Sequence, residues 1–115
     1  MNICIVSTRF PLQATAGEIG FLWPIARSLV KRGHRVTVLA WRNKRRLDYV
    51  ERDGVRAFFL GESPAAASTP FPDLVLRKFQ QLHAEAKFDL VHSLDASGFE
   101  VGRRRKSLGV AMVYD

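Results

Sequence analysis

The sequence predicts an α/β domain with a Rossmann-like, doubly wound parallel sheet of about five strands. Three observations predict this fold. The apolar run Ile3–Val6 is unbroken, which is typical of a strand buried on both faces in a parallel sheet. Segments with helical spacing lie between such runs, so strands and helices alternate. Finally, 115 residues, of which 47% are hydrophobic, are enough for one domain with a core of its own.

The predicted strands are short and mostly apolar: Asn2–Ser7, Arg35–Ala40, Val55–Leu60, Leu90–Leu94 and Val110–Tyr114. The expected strand order is 3-2-1-4-5, numbering the predicted strands along the chain. Sheets of this type bind ligands beyond the carboxyl ends of the strands, where the strand order reverses. The segments 7–20 and 92–97 follow strands 1 and 4 and are therefore the candidate ligand-binding segments.

Helical spacing identifies the connections. One helix is expected from about residue 20 to Arg32, with Gly33 as its C-terminal cap. A second covers Pro72–Ala86, with His83 on its solvated side. A third begins at the capping box Ser97-x-x-Glu100 and continues to about Leu108. A short basic helix is expected at Lys44–Arg52, and a loop is expected at Gly61–Pro70.

Charge and cysteine content narrow the class of protein. The formal net charge is +7, and all of it lies in residues 1–56, which carry 11 basic and 4 acidic side chains. Such a basic half fits an anionic partner or serves solubility alone. The lone Cys4 excludes an internal disulfide and a cysteine-based zinc site, and a reducing, cytoplasmic setting is expected. No signal peptide is expected from the first residues, and the sequence contains no apolar stretch of about 18 residues.

The loop after strand 1 contains part of a dinucleotide-binding pattern. Thr15-x-Gly17-x-x-Gly20 has two of the three glycines, but it lies too far from the strand. No acidic residue ends strand 2, where Trp41 and Arg42 stand. A nicotinamide or flavin site is therefore not expected, and a permissive turn is the alternative interpretation of these glycines.

Several motifs occur together in an order that resembles the opening of family-4 glycosyltransferases of the GT-B fold. They are Ile-Val-Ser-Thr-Arg-Phe-Pro at 5–11, Ala16-Gly17, Leu-Val-Lys-Arg-Gly-His-Arg-Val-Thr-Val-Leu at 29–39, Asp-Gly-Val at 53–55, Phe-Asp-Leu-Val-His at 88–92, and Gly-Val-Ala-Met-Val-Tyr-Asp at 109–115. The similarity extends over the whole chain. Ala16 departs from the family pattern, which has glycine there.

The resemblance implies a function. In this family an N-terminal Rossmann-like domain binds the acceptor and a C-terminal one binds the nucleotide sugar. Residues 1–115 would then be a single N-terminal domain without the donor-binding domain, and inactive alone. No cofactor or metal is expected in this chain. A UDP- or GDP-sugar is the donor implied for the complete enzyme, and a sugar or lipid-linked molecule is the acceptor. Self-association of the isolated domain is also expected.

The resemblance also implies site residues. Arg9, Ala16 and Gly17 would line the acceptor or diphosphate loop, and His92 and Asp95 would lie where the strand order reverses. Four of these residues have a structural alternative. Arg9 would be a solvated arginine and Gly17 part of a permissive turn, while His92 would be a half-buried histidine and Asp95 a residue at a helix start. A basic cluster would contact an anionic membrane at the inner face or remain solvated: Arg42, Lys44, Arg45 and Arg46.

Two other classes remain as alternatives. The first is a stand-alone flavodoxin-like or receiver-like module that binds a small ligand or a protein. A receiver needs an acidic cluster after strand 1 and a phosphorylatable aspartate after strand 3, and Ser7-Thr8-Arg9 and Gly61-Glu62 do not supply them. The second is a nucleic-acid-binding protein, which is not favoured because no aromatic residues are interleaved with the basic runs.

Overall fold

The computed structural model describes residues 1–7, 22–41, 49–60 and 69–114. Their elements, in chain order, are β1 (Asn2–Ser7), α1 (Leu22–Lys31), β2 (Arg35–Trp41), β3 (Tyr49–Arg52), β4 (Val55–Leu60), α2 (Phe71–Glu85), β5 (Leu90–Ser93), a 3₁₀ turn (Ala96–Gly98), α3 (Phe99–Arg103), α4 (Arg105–Leu108) and β6 (Ala111–Tyr114).

The strands form one sheet in the order β3-β4-β2-β1-β5-β6. All neighbouring pairs are parallel except β3–β4. The five predicted strands are present in the predicted order, so the Rossmann-like fold class is confirmed, and β3 is an additional strand at one edge. Since β1 lies between β2 and β5, the strand order reverses at β1 and β5, as expected.

The prediction of a helix at Lys44–Arg52 is wrong for the residues of this range that the structure describes. Residues Tyr49–Arg52 form β3, which pairs antiparallel with β4. The two strands are joined by Asp53 and Gly54, whose φ angles are 53° and 80°. Two consecutive residues with positive φ make the tight hairpin turn for which Asp-Gly is favoured. This local turn imposes strand pairing on a segment whose charge pattern suggested a helix.

Helices cover both faces of the sheet. On one face Trp23 and Ala26 of α1 pack against a cluster that includes Ile5 and Val38. On the other face Val75 and Phe79 of α2 pack against a second cluster. Strand side chains alternate between these clusters, and all six residues of β1 are buried. The sheet is therefore the middle layer of three. No helix among the described residues has the length and apolarity needed to span a membrane.

The third predicted helix is interrupted, and its predicted capping box does not form. The Asp95 carboxylate, and not Ser97, caps the start by accepting a hydrogen bond from the Ser97 amide at 2.8 Å. Glu100 binds the Arg104 guanidinium at 2.7 Å. The Gly98 amide donates instead to the buried Ser93 hydroxyl at 3.1 Å. The bond from Gly98 to Ser93 ties the first turn, which is a 3₁₀ turn, to the end of β5.

The prediction that His83 is solvated is also wrong. Its side chain is buried, and its ring stacks on Phe79 with centroids 5.1 Å apart. The Phe88 amide donates to Nδ1 at 3.0 Å, which places the ring proton on Nε2, and Nε2 donates to the Leu108 carbonyl at 2.7 Å. The segments before β5 and β6 cover this side of α2, which the helical pattern of α2 alone does not show.

Candidate functional site

The carboxyl ends of the parallel strands meet at one edge of the sheet. Ser7, Trp41 and Ser93 are the last residues of β1, β2 and β5, which are adjacent strands. The helices that follow β1 and β5 in the chain pack on opposite faces of the sheet. A crevice at the point where the strand order reverses is the usual ligand site of an open α/β sheet.

A cleft of about 460 Å³, open to solvent, lies at this edge. It is formed by the end of β2, the start of α2 and the turn after β5, with the lining residues Trp41, Phe71, Pro72, Asp95, Ala96 and Ser97. Sites for small molecules generally measure about 300–1,000 Å³. The cleft is therefore the size of a small-molecule site.

One wall of the cleft is aromatic. Trp41 follows Leu39 by two residues in β2, so both side chains lie on the α2 face of the sheet. The Trp41 ring meets the Phe71 ring edge to face, with centroids 5.2 Å apart and planes at 82°. This geometry is favourable for aromatic pairs and orients both rings. Pro72 extends the apolar wall along the first turn of α2.

The turn after β5 carries the polar groups of the described lining. The Ser93 hydroxyl, at the end of β5, donates to the Asp95 backbone carbonyl and accepts from the Gly98 amide. Asp95 Oδ1 accepts from the Ser97 amide at 2.8 Å. These hydrogen bonds fix the turn that follows β5. They hold the Asp95 carboxylate at the cleft, where a carboxylate can accept hydrogen bonds from ligand hydroxyls.

Asp95 is the one ionisable residue in the described lining. A long helix often binds an anion at its first turn, but α2 is poorly built for this. Pro72 lacks an amide proton, the Asp73 amide donates to the Pro70 carbonyl at 3.0 Å, and the Asp73 carboxylate adds negative charge. The start of α2 therefore does not favour a phosphate.

The structure separates the two residues predicted at the strand-order reversal. Asp95 lines the cleft on the α2 face. His92 is half-buried and alternates with Val91 and Ser93, so its side chain lies on the face that holds Leu90 and α1. The other predicted site residues lie outside the described part of the chain: Arg9, Ala16, Gly17, Arg42, Lys44, Arg45 and Arg46.

Three lining residues were missed by the sequence analysis: Trp41, Phe71 and Pro72. Trp41 ends a strand at the ligand-binding edge, which is a usable signal. Phe71 and Pro72 begin a helix, and only the packing of α2 brings them to Trp41. Among the described residues, no group of three His, Cys, Asp or Glu side chains is arranged to hold a metal ion.

The three layers, with one mostly parallel sheet in the middle, define an α/β domain of the Rossmann-like type. The family described as glycosyl transferase 4-like domain matches residues 21–115. The chain therefore belongs to this family, and the resemblance to family-4 glycosyltransferases is confirmed.

A solved structure supports the fold. The chain is similar to sucrose-phosphate synthase from Thermosynechococcus elongatus, with a TM-score of 0.72 and 16% sequence identity. The match covers 98% of this chain and 32% of that one, so this chain spans about a third of the length of the synthase chain. No curated protein matches the sequence.

Proposed function

We propose that this chain is the acceptor-side domain of a two-domain glycosyltransferase, which transfers sugar from a nucleotide sugar to an acceptor hydroxyl. The observation that carries the proposal is the cleft at the carboxyl edge, whose described lining includes the Asp95 carboxylate. A carboxylate there can accept hydrogen bonds from the hydroxyls of an acceptor. Membership of the glycosyl transferase 4-like family supports the reaction class.

The donor in this proposal is a UDP- or GDP-sugar held by a second domain. That domain would stabilise the negative charge that develops on the leaving diphosphate, which supplies much of the rate in such reactions. The match to about a third of a longer synthase chain is consistent with donor binding by a second domain. The 115-residue chain alone is then inactive.

In the acceptor-side domain, Asp95 accepts a hydrogen bond from a hydroxyl of the bound acceptor and so orients it. The turn hydrogen bonds through Ser93 and Ser97 hold the carboxylate in place. Arg9, Ala16 and Gly17, in the segment after β1, would contact the acceptor or the diphosphate. His92 lies on the other face of the sheet, where it is half-buried.

The basic cluster, defined by Arg42, Lys44, Arg45 and Arg46, is proposed to contact an anionic membrane surface from the cytoplasm. A lipid-linked acceptor would be reached there. Each basic residue close to such a surface contributes about 1 kcal/mol to attraction, so four residues are enough for reversible peripheral binding.

A transfer assay on two lengths of the protein tests the proposal. The reading frame beyond codon 115 is expected to encode a second α/β domain, and that longer protein is expected to release UDP or GDP from a nucleotide sugar when acceptor is present. The 115-residue chain is expected to release none. A frame that stops at codon 115, or turnover by the short chain, would contradict the two-domain proposal and favour a stand-alone binding module.

A further inference from the structure

We propose that Arg56 and Lys78 form a binding site for the phosphate group of a small soluble molecule, on the α2 face of the sheet. The proposal is independent of the proposed transferase function. The observation that carries it is that two cations from different elements converge on one ring, that of Phe58 in β4. Lys78 lies seven residues, or about 10 Å, along α2 from Phe71, so the site is apart from the edge cleft.

The alternation of side chains along β4 brings the two cations to the same face of the sheet. Arg56 and Phe58 alternate with buried residues that belong to the cluster under α1, so both side chains lie on the opposite face, where α2 packs. The guanidinium carbon of Arg56 is 5.9 Å from the centroid of the Phe58 ring. From α2, the Nζ atom of Lys78 lies 4.5 Å from the same centroid.

The Arg56 guanidinium is held in place while most of its donors remain for a ligand. Its Nη2 donates to Oγ1 of Thr37, a buried residue of the neighbouring strand β2, at 2.9 Å. This is its one hydrogen bond to the described residues. A guanidinium carries several further N–H donors, arranged in a fork that matches two phosphate oxygens. The contact with Thr37 therefore orients the group before a ligand arrives.

The ammonium of Lys78 supplies the second positive charge. Besides its contact with the Phe58 ring, it is 3.4 Å from Oε1 of Gln81, which is long for a hydrogen bond. Lys78 and Arg56 are both half-buried. Charges in such a position are less screened by water than fully exposed ones, so they attract an anion more strongly.

Carboxylates of the neighbouring elements do not neutralise the two cations. Glu51 lies opposite Arg56 across the β3–β4 ladder, but its Oε2 accepts a hydrogen bond from the Tyr49 hydroxyl at 3.2 Å. Glu85 lies two turns beyond Lys78 on α2. The ion pairs between described residues all lie at α3 and the residue after it. Because two like charges near one ring repel each other, an anion bound between them removes an unfavourable interaction.

A phosphate group is the anion that suits this pair. The planar fork of Arg56 can bind two of its oxygens, and Lys78 can act as a point charge on a third. A phosphate monoester carries a charge of about −1.5 to −2 at pH 7, which two cations balance, whereas a carboxylate carries only one charge. Since both cations are half-buried between β4 and α2, a small molecule reaches them more easily than a flat lipid surface does.

Nuclear magnetic resonance of the 115-residue chain tests the proposal. Sodium phosphate, added at constant ionic strength, is expected to shift the Arg56 Nε–H and Phe58 amide signals saturably, with a Kd in the millimolar range. Sodium acetate is expected to bind about tenfold more weakly. The amides of Arg27 and Lys31, exposed basic residues of α1, report loose counterion binding. Equal, saturable shifts at α1 and at Phe58, or acetate binding as tight as phosphate binding, would overturn the proposal.

Three variants assign the site. Arg56→Gln and Lys78→Gln are each expected to weaken phosphate binding about tenfold. Arg77→Gln removes an exposed positive charge from the adjacent position of α2 and is the matched control, expected to leave the Kd unchanged. Lys78→Gln keeps the contact between Arg56 and Thr37, so it remains informative if Arg56→Gln does not fold. Unchanged binding in Lys78→Gln, or an equal loss in Arg77→Gln, would contradict the assignment.

Vesicles distinguish a soluble phosphate from a lipid headgroup. Phosphatidylcholine vesicles with and without phosphatidic acid are sedimented with the parent protein and with Lys78→Gln. The two proteins are expected to sediment equally with each kind of vesicle, while only the variant loses inorganic phosphate binding. If Lys78→Gln loses binding to phosphatidic acid vesicles but retains that of inorganic phosphate, the ligand is a lipid headgroup and the assignment to a small soluble molecule is wrong.

Discussion

His83 is buried, being 9% exposed, and links three elements. Its ring bridges α2 to the Phe88 amide and the Leu108 carbonyl. Replacing it with leucine keeps the volume but leaves both backbone groups without a partner in a buried place. His83→Leu is therefore expected to lower the free energy of unfolding by about 2–4 kcal/mol, measured by urea denaturation.

Gln80→Ala is the matched control for His83→Leu, since Gln80 is exposed on the same helix. It is expected to change stability by less than about 0.5 kcal/mol. If His83→Leu unfolds at the same urea concentration as the parent protein, the hydrogen bonds of His83 do not stabilise the fold.

Cys4 gives a pH dependence with a defined sign. Burial raises the pKa of its thiol far above the ordinary 9.0, with slight opposition from Arg56. The native state therefore retains the thiol proton at pH values where the unfolded chain releases it. The stabilisation that the buried thiol gives the folded state is intact below pH 9. It is lost as the pH rises further, and the free energy of unfolding then falls with a slope approaching about 1.4 kcal/mol per pH unit.

Urea denaturation of the parent and Cys4→Ala between pH 8 and 10 checks this dependence. The variant has lower stability throughout, because the substitution leaves a cavity, but a shallower decline above pH 9. Parallel declines in the two proteins would show that Cys4 does not cause the slope.

At the scale of elements, two glycines in the segment after β5 are expected to respond differently to alanine. A Cβ on Gly98 would lie 2.7 Å from Ser93 Oγ and 2.8 Å from Met112 Cε. Ser93 is fully buried and holds the turn, so it cannot move freely. Gly98→Ala is expected to cost about 1–3 kcal/mol.

A Cβ on Gly102 would collide with the Tyr114 hydroxyl. That group ends a flexible side chain that is 51% exposed and can swing aside. Alanine also favours the helix more than glycine does, by about 1 kcal/mol. Gly102→Ala is therefore expected to be nearly neutral. Thermal denaturation of both variants checks the contrast, and equal losses would contradict it.

The elements show how far sequence reasoning extends. The buried strands were predictable because a short, unbroken apolar run such as Ile3–Val6 is typical of a strand that is buried on both faces. The strand β3 was not predicted, although its Asp53-Gly54 turn was visible, because the charge around it suggested a helix. The 3₁₀ turn at the start of the third helix bonds to the Ser93 side chain five residues earlier, and such a contact leaves no periodic signal in the sequence.

The candidate site, too, could be predicted from the sequence only in part. The edge of the sheet and the segment 92–97, which contains Asp95, followed from the predicted strand order. The separation of His92 from Asp95 follows from side-chain alternation, which was available in the sequence but was not applied. The pairing of Trp41 with Phe71 required the packing of α2 onto β2, which the sequence does not specify directly.

At the scale of the whole molecule, β6 is an edge strand with exposed apolar side chains. Val113 is 43% exposed and Tyr114 is 51% exposed, and no described strand pairs with the outer side of β6. Exposed edges of this kind promote association between chains. The 115-residue chain is expected to form dimers or larger species at high concentration in sedimentation experiments.

Val113→Lys is the matched test of this association, because a charge on an edge strand opposes pairing with another strand. The variant is expected to remain monomeric at concentrations where the parent associates. A parent that is monomeric at every concentration, or a variant that associates equally, would contradict a role for β6.

The central claim is that this chain provides the acceptor side of the reaction and not the nucleotide side. Calorimetric titration of UDP and GDP into the 115-residue chain tests it most directly. The account predicts no saturable binding tighter than about millimolar, which corresponds to about 4 kcal/mol. Saturable micromolar binding of either nucleotide would contradict it.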